Sequence, residues 1–212
     1  MNNIEVEFRT EIPFNDFEKI KGKLGSIAQL SSHKRRFSVM LFMGNDNTSI
    51  LYIRTTKDVN SGIDDTEIIH KKGIPASYDR IELTQKINVS DFESYIEILG
   101  SLPANKVLIM QRETINFVTP NSITVSLVRA KKHAYLEFEK LTSVESKEIA
   151  SNEVLKLMND LEFNILDEDG SRELFKRLDG NDDRVVLGKP IEIDSIVNDY
   201  QEFLQLYSGR II

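Results

Sequence analysis

A short alternation at the start of the chain, Ile4-Glu5-Val6-Glu7-Phe8-Arg9, constrains the fold more than any other feature. Successive side chains of a strand point to opposite faces. Glu5, Glu7 and Arg9 therefore line one face, and Ile4, Val6 and Phe8 the other. Two carboxylates and a guanidinium in a row can hold a cation and an anionic group together. The device returns at Tyr135-Leu136-Glu137-Phe138-Glu139-Lys140. Strand-like runs between the two doublets keep placing Arg or Lys on the polar face. An antiparallel sheet with one solvated face accounts for any single such strand. The whole ordered series points instead to a β-barrel with a charged interior and helices covering its apolar outside.

The runs read as follows. Strands are expected at 4–9, 34–43, 49–56, 66–72, 79–87, 106–118, 123–129 and 134–141, eight in all before residue 142. Gly44-Asn45-Asp46-Asn47 and Thr119-Pro120-Asn121-Ser122 mark turns. Two helices interrupt the strands. One spans 14–24, with Asn15 and Glu18 at capping-box spacing; the other runs from Ser90 to Leu102, with Ser90 and Glu93 at that spacing. After residue 142 the pattern turns helical, over 143–161, 171–178 and 194–207. No repeat of fixed period is evident. The expected organisation is one domain over 1–212, with barrel strands in 1–142 and a helical C-terminal part in 143–212.

Composition narrows the chemistry. The 212 residues carry a formal net charge of −7, which disfavours a duplex-DNA binder. Cysteine is absent, so thiolate metal sites are excluded. No apolar run reaches the roughly 20 residues needed to span a bilayer, and the first residues hold no signal-peptide core, so a cytoplasmic protein is expected. Carboxylates without thiolates favour a hard cation, Mg²⁺ or Mn²⁺. Arg and Lys on the intervening strands suit a polyanion, since guanidinium grips phosphate oxygens in bidentate fashion. Asp167, Asp169, Asp182 and Asp183 lack the ligand spacing of a calcium loop and read as caps and loop solvation.

The ordered set resembles the CYTH family, the triphosphate tunnel metalloenzymes, whose members include class IV adenylyl cyclases, thiamine triphosphatases and tripolyphosphatases. The family's opening E-x-E-x-K is matched by Glu5-Val6-Glu7-Phe8-Arg9. Its L-R-x-R strand is matched by Leu51-Tyr52-Ile53-Arg54, its K-G by Lys72-Gly73, and its R-x-E by Arg80-Ile81-Glu82. Its K-x-R is matched by Met110-Gln111-Arg112 and its closing E-x-E by Glu137-Phe138-Glu139. Tyr200 resembles the tyrosine of the family's C-terminal segment. The resemblance covers most of 4–141 and implies an eight-stranded antiparallel tunnel. Glu5, Glu7, Glu137 and Glu139 would be catalytic and, with Glu82, would bind Mg²⁺ or Mn²⁺. Arg9, Arg36, Arg54, Lys72, Arg80 and Arg112 would hold the phosphate chain of a small triphosphate or polyphosphate.

This chain departs from the family pattern in places. Tyr52 and Met110 replace bases, Leu127 stands near an expected acidic residue, and Lys131-Lys132-His133 replaces a glycine-containing turn. His70 shares strand parity with Lys72. The leading expectation is metal-dependent hydrolysis of a triphosphate or tripolyphosphate. The alternatives are a class IV-type adenylyl cyclase, an RNA 5′-triphosphatase acting on triphosphate-ended RNA, and a noncatalytic polyphosphate- or nucleotide-binding module.

Overall fold

The computed structural model describes residues 3–43, 49–62, 64–72, 81–187 and 192–206, without the side chains of 3, 64, 81, 82 and 206. The expected turn at 44–47, the start of the strand at 79–80, Gly73, Arg80 and Tyr207 lie outside them. The strands are β1 (Asn3–Ile12), β2 (Gln29–Met43), β3 (Ser49–Asp58), β4 (Asp64–Lys72), β5 (Ile81–Ile87), β6 (Lys106–Val118), β7 (Thr124–Arg129), β8 (Ala134–Ser143) and β9 (Arg184–Leu187). The helices are α1 (Phe17–Ile27), α2 (Phe92–Gly100), α3 (Lys147–Asp160), α4 (Glu168–Asn181) and α5 (Ile193–Leu206). All eight expected strands are present, and β9 is an addition. Among the described residues no helix is long and apolar enough to cross a membrane.

The sheet runs β1-β8-β7-β6-β2-β3-β4-β5, with β9 paired to β6. Among the described residues this path ends at β1 and β5 and does not close on itself. The chain order is a repeat: a strand, a helix and three strands (β1-α1-β2-β3-β4) are followed by the same series (β5-α2-β6-β7-β8), and exchanging the two series gives the same sheet order read from the other edge. The sequence carries a trace of this. Residues 12–25 and 87–100 share Ile, Asp, Phe, Glu, Leu and Gly at matching places: Ile12/Ile87, Asp16/Asp91, Phe17/Phe92, Glu18/Glu93, Leu24/Leu99 and Gly25/Gly100.

Neither α1 nor α2 begins with the expected capping box. In each, a 3-10 turn (Phe14–Asp16, Val89–Asp91) leads into the helix at a phenylalanine, and no side chain caps it. The tighter turn satisfies the first N–H groups: Phe17 donates to Phe14 O, and Phe92 to Val89 O. The phenylalanine is then buried as the anchor of its helix. Helix α4, by contrast, is capped by Asp167, which accepts from Gly170 N at 2.7 Å. It runs well beyond the expected 171–178.

The chain divides into two compact units, Met1–Arg35 with Asp58–Ser61 and Arg112–Asp182, and Arg36–Lys57 with Gly62–Gln111 and Asp183–Ile212. In the first, α1 and α3 cover one sheet face. Phe17, Ile20 and Leu24 of α1 and Val154 and Met158 of α3 pack on Ile115, Phe117, Val125, Leu127, Leu136 and Phe138. In the second, α2 and α5 do the same: Phe92, Ile96, Tyr200 and Phe203 lie on Phe37, Val39, Leu41 and Ile53. Tyr200 stacks on Phe92 with centroids 3.6 Å apart and accepts a hydrogen bond from Thr55 Oγ1 at 3.2 Å. Burying each of these aromatic rings contributes about 1.5–3 kcal/mol.

Candidate metal centre

The covered face of the first unit takes the even-numbered apolar residues of β1 and β8 and the odd-numbered ones of β6 and β7; the other face takes the acids Glu5, Glu7, Glu137 and Glu139. Strand β1 alternates as its sequence predicts, with Val6, Thr10 and Ile12 buried and Glu5 exposed. Its antiparallel register against β8 sets Glu7 opposite Glu139 and Arg9 opposite Glu137. Strand β7 extends both rows, with Thr124 opposite Glu139 and Ser126 opposite Glu137. Directly opposed residues share a face and stand about 4.5–5.5 Å apart at Cβ. Glu7, Glu137 and Glu139 consequently converge, each offering a carboxylate oxygen, and the three atoms lie within 4.8 Å of one another.

Three carboxylates this close resist full ionisation. The Glu7 carboxyl is pushed up to about 8, first by burial and then by the charge on Glu137, with Arg9 opposing. Arg9 is the built-in counter-ion. Its guanidinium pairs with Glu7 and donates from Nε to Glu137 Oε1 at 3.0 Å. Burial would lower its pKa, but Glu137 and Glu7 hold it above its ordinary value. The site is partly open: the Arg9, Glu7 and Glu137 side chains retain 25, 26 and 20% exposure.

At one end of the rows Glu11 stands opposite Tyr135, and α4 lies across them. Leu174 and Leu178 pack on Val128, Ala130 and Tyr135. Arg177 Nη2 donates to Glu11 Oε2 at 2.5 Å, and Leu166 N donates to Arg9 O at 2.9 Å. Phe175 meets Tyr135 edge-on at 6.3 Å and lies against the Arg9 guanidinium at 5.1 Å. The Tyr135 hydroxyl is driven upward in pKa by burial and by Glu137, and it accepts a hydrogen bond from Arg112. Arg112 thus reaches this face of the first unit through Tyr135. At the other end Glu5 is opposite Leu141 and is exposed; it stands outside the triad.

Leu127 is buried in the apolar core, so the β7 residue beside Glu137 is Ser126. The other expected phosphate ligands belong to the second unit. Arg36 is half-buried on β2. Arg54 is paired with Glu67, donating from Nε to Glu67 Oε1 at 2.8 Å. Strand β4 pairs with β3 so that Lys71 opposes Ile50 and Glu67 opposes Arg54, while Lys72 opposes Ser49. Lys72 is therefore on the face opposite Arg54, and Lys71, which lies 5.8 Å from the Tyr52 ring centroid, shares Arg54's face. His70 goes with Lys72 and bonds Ser49 Oγ at 2.9 Å. Glu82 takes the register position opposite Lys71. His133 is tied to Asp182 at 2.5 Å, an anchor for the end of α4.

Tyr52 itself is buried beside Ile50 and Ile69, so the polar face expected in this unit is part apolar. The contribution of α4 leaves little local signal in the sequence: Phe175 stands among polar residues of a helix whose own apolar stripe is Leu174 and Leu178.

Comparison with known proteins gives structure alone. No family model matches the chain, and no curated protein matches it by sequence. Solved structures do. The PH1819 protein of Pyrococcus horikoshii OT3 superposes with a TM-score of 0.55 at 16% identity, covering 82% of this chain and 99% of that one. A putative adenylate cyclase of Vibrio parahaemolyticus gives 0.53 at 14% identity, covering 77% and 91%. HpAC1 of Hippeastrum, described as a putative adenylyl cyclase with a dominant triphosphatase activity, gives 0.51 at 12% identity, covering 77% and 90%. The chain shares their fold. That fold is an α+β arrangement built on a large antiparallel sheet.

Proposed function

We propose that the protein is a metal-dependent triphosphatase of the CYTH type, hydrolysing the terminal phosphate of a triphosphate or tripolyphosphate. The observation that carries this reading is the convergence of Glu7, Glu137 and Glu139 around Arg9. The reading takes the sheet to close into a tunnel, with Arg9 and Arg112 among the cations of this face.

The donor set fits a hard divalent cation. It is all carboxylate, and the crowding that holds a proton on Glu7 is relieved by a positive charge at the shared centre. A bound Mg²⁺ or Mn²⁺ would supply Lewis-acid polarisation of phosphate oxygens and a more acidic water. The protein's own residues do the rest. Glu7, Glu137 and Glu139 fix where the positive charge sits. Arg9 offers a second cation on the same row, within reach of a phosphate oxygen bound there. Ser126 and Thr124 flank the acids with hydroxyls that can donate to the same anion. Tyr135, Phe175 and Leu174 keep that end of the face apolar, which strengthens each charge interaction beside it.

The fold shared with HpAC1 supports hydrolysis over cyclisation, because that protein is described by its triphosphatase activity. The fold shared with the Vibrio protein favours the cyclase as second reading. Incubation with tripolyphosphate, thiamine triphosphate, ATP and triphosphate-ended RNA, with Mg²⁺ or Mn²⁺, separates them. Phosphate release lost in Glu7→Gln and Glu139→Ala is the expected result. Cyclic AMP with pyrophosphate would assign the cyclase, and thermal stabilisation without turnover a binding module.

A further inference from the structure

We propose that Phe175 is a positioning residue for Arg9, so that α4 sets where the anion-gripping guanidinium points. This rests on the metal-centred reading above. Phe175 is not what packs α4 down, since Leu174 and Leu178 are fully buried and Phe175 stays 38% exposed. Its ring lies instead 5.1 Å from Arg9 and is steadied by Tyr135.

A guanidinium donates hydrogen bonds in its plane and stacks through its face, so the two kinds of contact do not compete. In the protein alone, the in-plane donors of Arg9 go to Glu7 and Glu137. With a divalent cation held on them, Glu7 and Glu137 would turn those oxygens to the metal, and Arg9 would be left with in-plane donors to offer elsewhere. The aromatic contact depends on neither carboxylate and persists. It keeps the plane of Arg9 beside the acid row, with donors free for a phosphate oxygen, and removes much of the rotamer freedom that binding would otherwise have to take away.

The carrier is well fixed. Asp167 caps α4 at its start, Leu166 N bonds the backbone of Arg9 itself, Arg177 pairs with Glu11, and Asp182 at its end accepts from Lys132 N and from His133. The ring and the guanidinium are thus referred to the same backbone.

Calorimetric titration of the full chain tests this, first with Mn²⁺ and then, at saturating Mn²⁺, with methylenediphosphonate as a non-hydrolysable probe. Phe175→Leu is expected to bind the diphosphonate about three- to tenfold more weakly, and Phe175→Tyr to restore binding to within about twofold. Mn²⁺ affinity should be alike in all three. The Arg9 Nε–H proton resonance should lie further downfield in Phe175→Leu, where the ring is lost, than in the wild type, and return in Phe175→Tyr. Undiminished diphosphonate binding in Phe175→Leu, or Phe175→Tyr binding as weakly as Phe175→Leu, would overturn the inference while leaving the metal centre standing. A wild type that takes up no Mn²⁺ would sink the metal-centred reading, and this inference with it.

Discussion

The two halves of the strand series use the same frame for opposite chemistry. In the first unit the row across β1, β8 and β7 reads Glu7-Glu139-Thr124, and the next reads Arg9-Glu137-Ser126. The matching rows across β5, β4 and β3 in the second unit read Glu82-Lys71-Ile50 and Thr84-Ile69-Tyr52. A third pair sets Glu11-Tyr135-Val128 against Lys86-Glu67-Arg54. Where the first unit places a second and third carboxylate, the second places a lysine and a buried isoleucine. Register alone therefore does not gather a carboxylate cluster; three acids in adjacent positions do, and a Lys in place of one of them breaks it up.

The same lesson holds within the first unit. Glu113 lies on the helix-covered face and is met by His33 Nε2 at 2.6 Å, Arg35 Nη2 at 3.3 Å and Arg129 Nε at 3.1 Å. Burial would raise its pKa, but the hydrogen bonds from His33 and Arg129 and the charges of Arg129 and Arg35 hold it down to about 2. One acid among three bases is a satisfied structural network. Three acids that meet at one point, two of them paired with the same Arg9, are a crowded carboxylate centre.

The largest expected effect comes from turning one row into its counterpart. Glu139→Lys should lower Mn²⁺ affinity and phosphate release by at least about 100-fold, beyond the 10–100-fold typical of outer-shell partners. Retained metal binding in that variant, measured by calorimetry, would break the comparison. Next come the helix anchors that match across the repeat. Phe17→Ala and Phe92→Ala should each cost about 3–5 kcal/mol of stability by denaturant unfolding. A large difference between them would show that the halves are not equivalent frames.

Glu7 and Glu113 should give pH dependences of opposite sign. Glu7 is raised from 4.5 to about 8, so its contribution to metal-free stability is full below about 4.5 and is lost as pH rises through about 8. Glu113 is lowered from 4.5 to about 2, so its contribution is present above about 4.5 and is lost as pH falls through about 2. Thermal melts across pH should show the first trend vanish in Glu7→Gln and on addition of Mn²⁺, while the second vanishes only in Glu113→Gln.

Much of this was legible in the residues. The acid doublets and their alternation named the strands that carry the site, because a period of two follows from backbone geometry alone. Eight strands and the helices between and after them follow from the same periodicities. The starts of α1 and α2 differ from the capping boxes expected from sequence, since a 3-10 turn ending at a buried phenylalanine resembles one in its residues. Strand β9 is only four residues long and carries no alternation that separates it from a loop.

The sequence by itself determined which side chains share a face within each strand, and so that Glu5, Glu7 and Arg9 point together. Only the tertiary structure decided that Glu7 meets Glu137 and Glu139 while Glu5 does not, that Lys71 rather than Lys72 joins Arg54, and that Phe175 comes against Arg9. The reason is physical: alternation is a property of one strand, whereas pairing register and helix docking are set by contacts between segments far apart in the chain.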